Sequence, residues 1–493
     1  MSVLIEDKVK LQELIEKYGI SVPRYTSYPT APEWKHEYSQ EVFEQAISKS
    51  NQTKQDYSLY LHIPFCESQC YYCACNVIIS PEHGIEDKYI TRLKNELSYY
   101  GGQIDPARKV SQMAWGGGTP TFLSPDQIRD LYSHIQKYFN LHTRATKSLK
   151  ELAQAGQRIL QAREVDCFVA DAPRNDGEHE HEYSIEIDPR VTSVEHLQAL
   201  YECGFNRLSM GIQDFNSQTQ EAINRHQSFD LVFKIVEEAR KIGFTSINFD
   251  LIYGLPFQTL DTFKDTIHKV KQINPERIAL FNYAHIPSLF PFQQKYINEA
   301  TMPSATEKLD IFARAVQEFI DFGYEFIGID HFAKPNDALA VAQRNKTLYR
   351  NFQGYTTHAG CDLFGFGIAS ISDVNGVYKQ NPKKLNNYYE DTFSADKFKT
   401  CSVDDIERRE IIKQLMCNNF AIIDLNKYAY EFERLQEFFV DNLLAWTYHD
   451  LTKPEEVLLE VTDLGRYFTR NIASVFDTYI RAEAAHKLFS QSL

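Results

Sequence analysis

No run of apolar residues in the chain approaches the ~18 that a membrane-spanning helix requires. Basic residues are in the minority: 52 Lys and Arg face 67 Asp and Glu, a formal charge of −15 over 493 residues. That balance argues against a nucleic-acid footprint, although an acidic surface can still hold a local basic pocket for a small anion. The opening MSVLIEDKVKLQELIEKYG lacks the basic start and apolar centre of a secretory signal, so the expected location is the cytoplasm. Thiols stay reduced there. Cysteines that cluster are then read as metal ligands or catalytic groups, not as disulfides.

What is present is enough apolar sequence, 43%, for a substantial core. At roughly 100–200 residues per domain, the length corresponds to two to four domains or one large barrel with additions. From residue 57 apolar runs alternate with amphipathic stretches. Strands are expected at 57–63, 110–115, 183–188, 207–213, 246–254, 277–284 and 325–330, with helices at 85–100, 124–138, 192–202, 229–242, 259–273 and 304–322. Strict alternation predicts an α/β fold, a parallel sheet with helical crossovers; a twisted open sheet and a (β/α) barrel both fit. The expected division is an N-terminal extension and lid over 1–55, a barrel over 56–375 and a mostly helical C-terminal domain over 376–493. Residues 143–182 break the rhythm and read as an insertion. His179 and His181 within it are expected on a solvated loop, since no third ligand stands nearby. The last segment holds 15 basic against 19 acidic residues, which fits a lid or packing role better than DNA binding.

Four of the nine cysteines fall within ten positions of HIPFCESQCYYCACN. Cys66-x3-Cys70-x2-Cys73 follows the first strand on a loop, the close spacing of an iron–sulfur site. A structural zinc site would need a second ligand pair further along, and none is evident. Three thiolates on a four-iron cluster leave one iron open to a chelating small molecule. Cys167, Cys203, Cys361, Cys401 and Cys417 are isolated and read as small buried residues.

Polar or flexible residues recur where the other strands end: Gly116-Gly117-Gly118-Thr119-Pro120 after the second, Glu186 on the third, Gln213 on the fourth, Asp250 in the fifth and Ala284-His285 on the sixth. In barrels, ligand-handling groups gather at the C-terminal strand ends. Glycines there admit close approach of a ligand, though a tight turn asks for the same residues.

The cysteine spacing resembles the radical S-adenosylmethionine (SAM) enzymes. A longer set of motifs is similar to a narrower family: PRYTSYPTA, LYLHIPFCESQCYYCACN, WGGGTPT, SIEIDPR, GFNRLSMGIQDFN, GFTSINFDLIYGLP, FNYAHIP, FIGIDHFAKP, RNFQGYTT and FDTYI together resemble the bacterial oxygen-independent coproporphyrinogen III oxidases, from about residue 10 to 490. The resemblance implies a partial (β/α) barrel of radical SAM type. It implies oxidative decarboxylation of two propionates of coproporphyrinogen III to vinyl groups, giving protoporphyrinogen IX in haem biosynthesis, by a 5′-deoxyadenosyl radical. It implies a [4Fe-4S] cluster on Cys66, Cys70 and Cys73, and two SAM molecules. Tyr60, Gly117, Glu186 and Ile371 would contact the first SAM. Tyr72, where the family often has Phe, would contact the second, with Gly118, Thr119, Gln213, Arg225, Asp250 and Ala284. Cys75 is implied in catalysis without being a ligand; its other reading is a small buried thiol. Arg24 is a candidate for a substrate carboxylate or a surface ion pair, and Tyr25 and Tyr28 line the tetrapyrrole or merely pack. A reducing donor such as a flavodoxin-type protein, an external electron acceptor and a monomeric state are further expectations. The alternatives are a radical SAM methyltransferase that opens haem, a haem chaperone on the same barrel, and a zinc-binding structural protein.

Overall fold

The computed structural model describes residues 8–142, 181–390 and 393–480. The expected insertion lies outside them except for its last two positions, as do His179 and Cys167.

Six parallel strands form at or within a few residues of where the apolar runs predict them: β1 Tyr57–Ile63, β2 Lys109–Gly117, β3 Glu182–Ile187, β4 Arg207–Gln213, β5 Ser246–Tyr253 and β6 Arg277–Asn282. β1 is buried at every position but Tyr60, so both of its faces are covered. A parallel strand in that situation reads as a continuous apolar run, not an alternation. The crossover helices match expectation too. Pro125–Gln136, Val194–Glu202, Leu260–Ile273 and Ala305–Asp321 each begin at a Ser or Thr whose side chain caps the first turn while the third helical residue returns the bond.

The seventh parallel strand is not the expected one. β7 is Asp362–Phe366, which lies beside β1 with Tyr60 opposite Gly365. The sheet therefore runs β7-β1-β2-β3-β4-β5-β6. The segment expected as the seventh strand forms Glu325–Gly328, but the chain reverses at Ile329, whose φ is 51°. His331–Ala333 folds back as an antiparallel strand and takes the place next to β6. At the other edge, Ile371–Val374, Val377–Gln380 and Lys397–Thr400 continue the sheet antiparallel beyond β7. Antiparallel strands at both edges leave the parallel row unclosed, a partial (β/α) barrel. The change of pattern expected at 376 falls inside this sheet edge, not at its end.

Beyond the sheet, helix Val403–Asn418 packs on a three-stranded antiparallel sheet of Phe420–Asp424, Lys453–Val461 and Leu444–Asp450. The N-terminal extension is bound to this C-terminal part. Tyr25 donates to Asp477 Oδ2 at 3.0 Å, and the Tyr28 hydroxyl meets Thr478 Oγ1 at 3.1 Å. Both rings are buried, so these tyrosines pack and bond inside the protein. No helix among the described residues is long and apolar enough to cross a membrane.

Candidate active site

The C-terminal ends of the parallel strands open onto a cavity of about 630 Å³. The loop after β1 contributes Cys66, Cys70, Tyr72, Cys73 and Cys75 to its wall. Gly117, Gly118 and Thr119 follow from β2, Glu186 from β3, Gln213 from β4, Arg225 from the loop beyond it, and Asp250 from β5. Residues spread over 184 positions of sequence thus meet at one place because parallel strands all end on the same side.

The glycines are explained by close approach. Gly117 has φ of 112°, and a Cβ there would lie 2.5 Å from the His62 ring. A Cβ on Gly118 would lie 2.6 Å from the Pro64 carbonyl. His62 itself is pinned, with Nε2 2.9 Å from the Asn76 carbonyl and Nδ1 3.2 Å from the Tyr60 hydroxyl. The Gly117 amide donates to Glu186 Oε2 at 3.1 Å. Glu186 opens to the cavity but sits deep among protein atoms, and this, with the charge of Asp250, pushes its carboxyl up to about 7. Asp250 accepts from Asn248 Nδ2 at 2.8 Å and from Ser209 at 3.2 Å. Burial raises its carboxyl as well.

A second set of charges surrounds Cys70. Arg225 Nη1 lies 3.6 Å and Arg190 Nη2 3.7 Å from its sulfur. Asp188 Oδ2 ties the two guanidiniums together, 3.1 Å from Arg225 and 2.6 Å from Arg190. Burial alone would raise the Asp188 carboxyl, but the two arginines outweigh it and hold the group below the usual range. Arg225 also donates to the Gly211 carbonyl at 2.7 Å, which fixes its guanidinium. The Cys75 amide donates to Cys73 Sγ at 3.4 Å. Bonding from Cys75 brings the Cys73 thiol down to about 7.

Three residues expected at the site do not line the cavity. Tyr60 stands beneath it on β1, near enough to Glu186 and Cys75 for their charges to raise a phenol already raised by burial. Ala284 lies two residues beyond β6, its carbonyl bonded to Gln294 Nε2 at 3.1 Å. Ile371 opens the strand paired antiparallel to β7, and its carbonyl would lie 2.3 Å from a Cβ at Gly365. Arg24 reaches the margin: its guanidinium lies 5.6 Å over the Phe281 ring, which lines the cavity, while Nη1 donates to Asp330. Asp188 and Arg190 join the site although the motif SIEIDPR, which holds both, marks only Glu186 by its place at the strand end. Of the isolated cysteines, Cys203 and Cys417 are buried as expected; Cys361 and Cys401 are only half-buried.

The radical SAM superfamily model matches residues 60–270. The chain is 40% identical over 494 residues to the oxygen-independent coproporphyrinogen III oxidase of Synechocystis sp., covering 98% of this chain and 97% of the relative. It is 41% identical over 490 residues to the enzyme of that description from Escherichia coli, covering 97% of each. The solved structure of coproporphyrinogen III oxidase from Escherichia coli, described as a radical SAM enzyme, matches with a TM-score of 0.80 at 36% identity, over 94% of this chain and all of that one. The chain belongs to the oxygen-independent coproporphyrinogen III oxidase family.

A radical SAM oxidase of this family works with a [4Fe-4S] cluster and SAM. The donor set fits a cluster. Cys66, Cys70 and Cys73 all line the one cavity, a set of three thiols on one loop of the kind that holds an iron–sulfur cluster.

Proposed function

We propose that this chain carries out the oxygen-independent oxidation of coproporphyrinogen III to protoporphyrinogen IX in haem biosynthesis, with Cys66, Cys70 and Cys73 holding the cluster and two SAM molecules in the cavity. When bound, the cluster and SAM supply the 5′-deoxyadenosyl radical that takes a hydrogen from a propionate β-carbon, after which carbon dioxide leaves and an external acceptor removes the remaining electron.

The chain's own residues bind and orient. Glu186, held against the Gly117 amide, accepts the ammonium of the first SAM, with Tyr60 beneath it and Ile371 on the strand beside β7. Tyr72, Gly118, Thr119, Gln213, Arg225, Asp250 and Ala284 take the second; Arg225 and Asp250 offer charges of opposite sign, which suits a zwitterionic amino acid. Arg190 and Arg225 place positive charge beside the Cys70 sulfur. Cys75 acts near the two SAM sites. A small flavodoxin-type protein delivers the electron, and the enzyme works as a cytoplasmic monomer.

One observation carries this reading: the three-cysteine loop and Glu186 share one cavity in a chain that matches the oxidases from end to end. The test is single turnover of the anaerobically reconstituted enzyme with one and then two equivalents of SAM. Two deoxyadenosines per vinylated pair support it, and vinyl formation without deoxyadenosine would contradict it.

A further inference from the structure

The bonds that reach the three clustered sulfurs are unequal. Cys66 Sγ lies 3.5 Å from the Thr119 hydroxyl, and Cys73 Sγ accepts the Cys75 amide at 3.4 Å. Both of those partners are neutral. Cys70 Sγ accepts from Arg225 Nη1 at 3.6 Å and from Arg190 Nη2 at 3.7 Å, so two cationic donors fall on one buried sulfur. Arg225 is also tied to the Gly211 carbonyl, at 2.7 Å through Nη2 and 3.2 Å through Nε, and it faces the second SAM in the function proposed above. Arg190 has no such second duty.

The turn after β3 builds Arg190 into place. The Asp188 carbonyl accepts the amides of Val191 and Thr192, each at 3.1 Å, and the Thr192 hydroxyl at 2.8 Å. The Asp188 side chain then grips Arg190. Its Oδ1 accepts the Arg190 amide and Nε, each at 3.0 Å, and its Oδ2 accepts Nη2 at 2.6 Å. A guanidinium held at two nitrogens by one carboxylate has a fixed plane. Nη2 carries two hydrogens, one for Asp188 and one for the sulfur. Hydrogen bonds to a ligand sulfur, and positive charge beside it, favour the more negative, reduced cluster and raise its potential. Burial strengthens the effect, because water screens it less. We propose that Arg190 sets the reduction potential of the cluster through the Cys70 sulfur, with Asp188 as the strut that aims it. This role rests on the cluster assignment proposed above. It eases entry of the one electron that the donor protein supplies. An arginine that served only the Asp188 turn would leave the potential untouched.

The test is a potentiometric titration with dithionite of the anaerobically reconstituted enzyme without SAM, followed by the electron paramagnetic resonance signal of the reduced cluster. Arg190→Gln is expected to keep the iron and sulfide content of wild type. It should shift the one-electron equilibrium about tenfold toward the oxidised form, a fall of about 59 mV in midpoint. Arg190→Lys keeps the charge and should fall between the two. If Arg190→Gln loads poorly, Arg190→Met is measured in its place by the same criterion. A wild-type midpoint in a fully loaded neutral variant overturns the role, as does an Arg190→Lys midpoint below that of Arg190→Gln. Loss of the cluster from both neutral variants also overturns it, since Arg190 would then serve cluster assembly. A wild-type protein that takes up no cluster defeats the proposed function itself. An enzyme that oxidises coproporphyrinogen while its variants keep the midpoint defeats only the role of Arg190.

Discussion

The Gly117 amide and the Glu186 carboxylate meet at 3.1 Å, joining the glycine turn after β2 to the end of β3. The carboxyl of Glu186 is pushed up to about 7 by its depth and by Asp250. A raised carboxyl is largely protonated at pH 6 and ionised at pH 8, so a ligand ammonium gains its partner as pH rises. SAM affinity of the cluster-loaded enzyme should therefore increase from pH 6 to pH 8, approaching about tenfold. Equilibrium dialysis with labelled SAM measures it, and Glu186→Gln should bind weakly with no such slope.

Gly117→Ala should destabilise the protein by about 2–4 kcal/mol, because the new Cβ meets both an unfavourable φ and the His62 ring. Gly84→Ala is the control. Gly84 has φ of 101° but nothing within 4 Å of a Cβ, so backbone strain acts alone, at about 1 kcal/mol. Denaturant midpoints at constant m-value separate the two. Equal losses would mean that the contact with His62 does not matter.

Asp188→Asn leaves Arg225 buried without its counter-charge and should cost about 3–5 kcal/mol at neutral pH. The sign with pH follows from the depressed carboxyl. Its stabilisation is complete above the unfolded value of about 3.9 and is lost as pH falls toward the lower folded value. Urea titrations at pH 7 and pH 3 should show the gap between wild type and variant closing on acidification.

The residues that were legible in sequence are those whose signal is local. The strands β1 to β6 are short apolar runs between amphipathic helices, and Cys66, Cys70 and Cys73 carry their meaning in their spacing. β7 escaped notice because DLFGF is short, contains a glycine, and pairs with a strand some 300 positions earlier, so no local alternation announces it. Glu325–Gly328 has strand composition, but the turn at Ile329 turns it into half of a hairpin. Asp188 with Arg225, and Arg24 with Asp330, are ion pairs across 37 and 306 positions, which only the folded chain brings together.

Removing the segment between His142 and His181 is expected to leave turnover intact. Their rings stack at 5.0 Å, so the two ends already meet. Leu141 pairs with Val110 and Glu182 with Gln112, near the N-terminal end of β2, whereas the cavity lies at the C-terminal ends. Replacing 144–180 by a short glycine linker should leave turnover within about twofold. A larger loss would give the segment a role at the site.

Cys66, Cys70 and Cys73, and not Cys75, are expected to carry the cluster that starts propionate oxidation. The decisive measurement is iron and sulfide content, together with protoporphyrinogen formed from coproporphyrinogen III, in the four single Cys→Ala proteins after anaerobic reconstitution. Changes at 66, 70 and 73 should each abolish cluster and product together, while Cys75→Ala keeps the cluster and loses the product. Product formation by any of the first three, or loss of the cluster in Cys75→Ala, would contradict it.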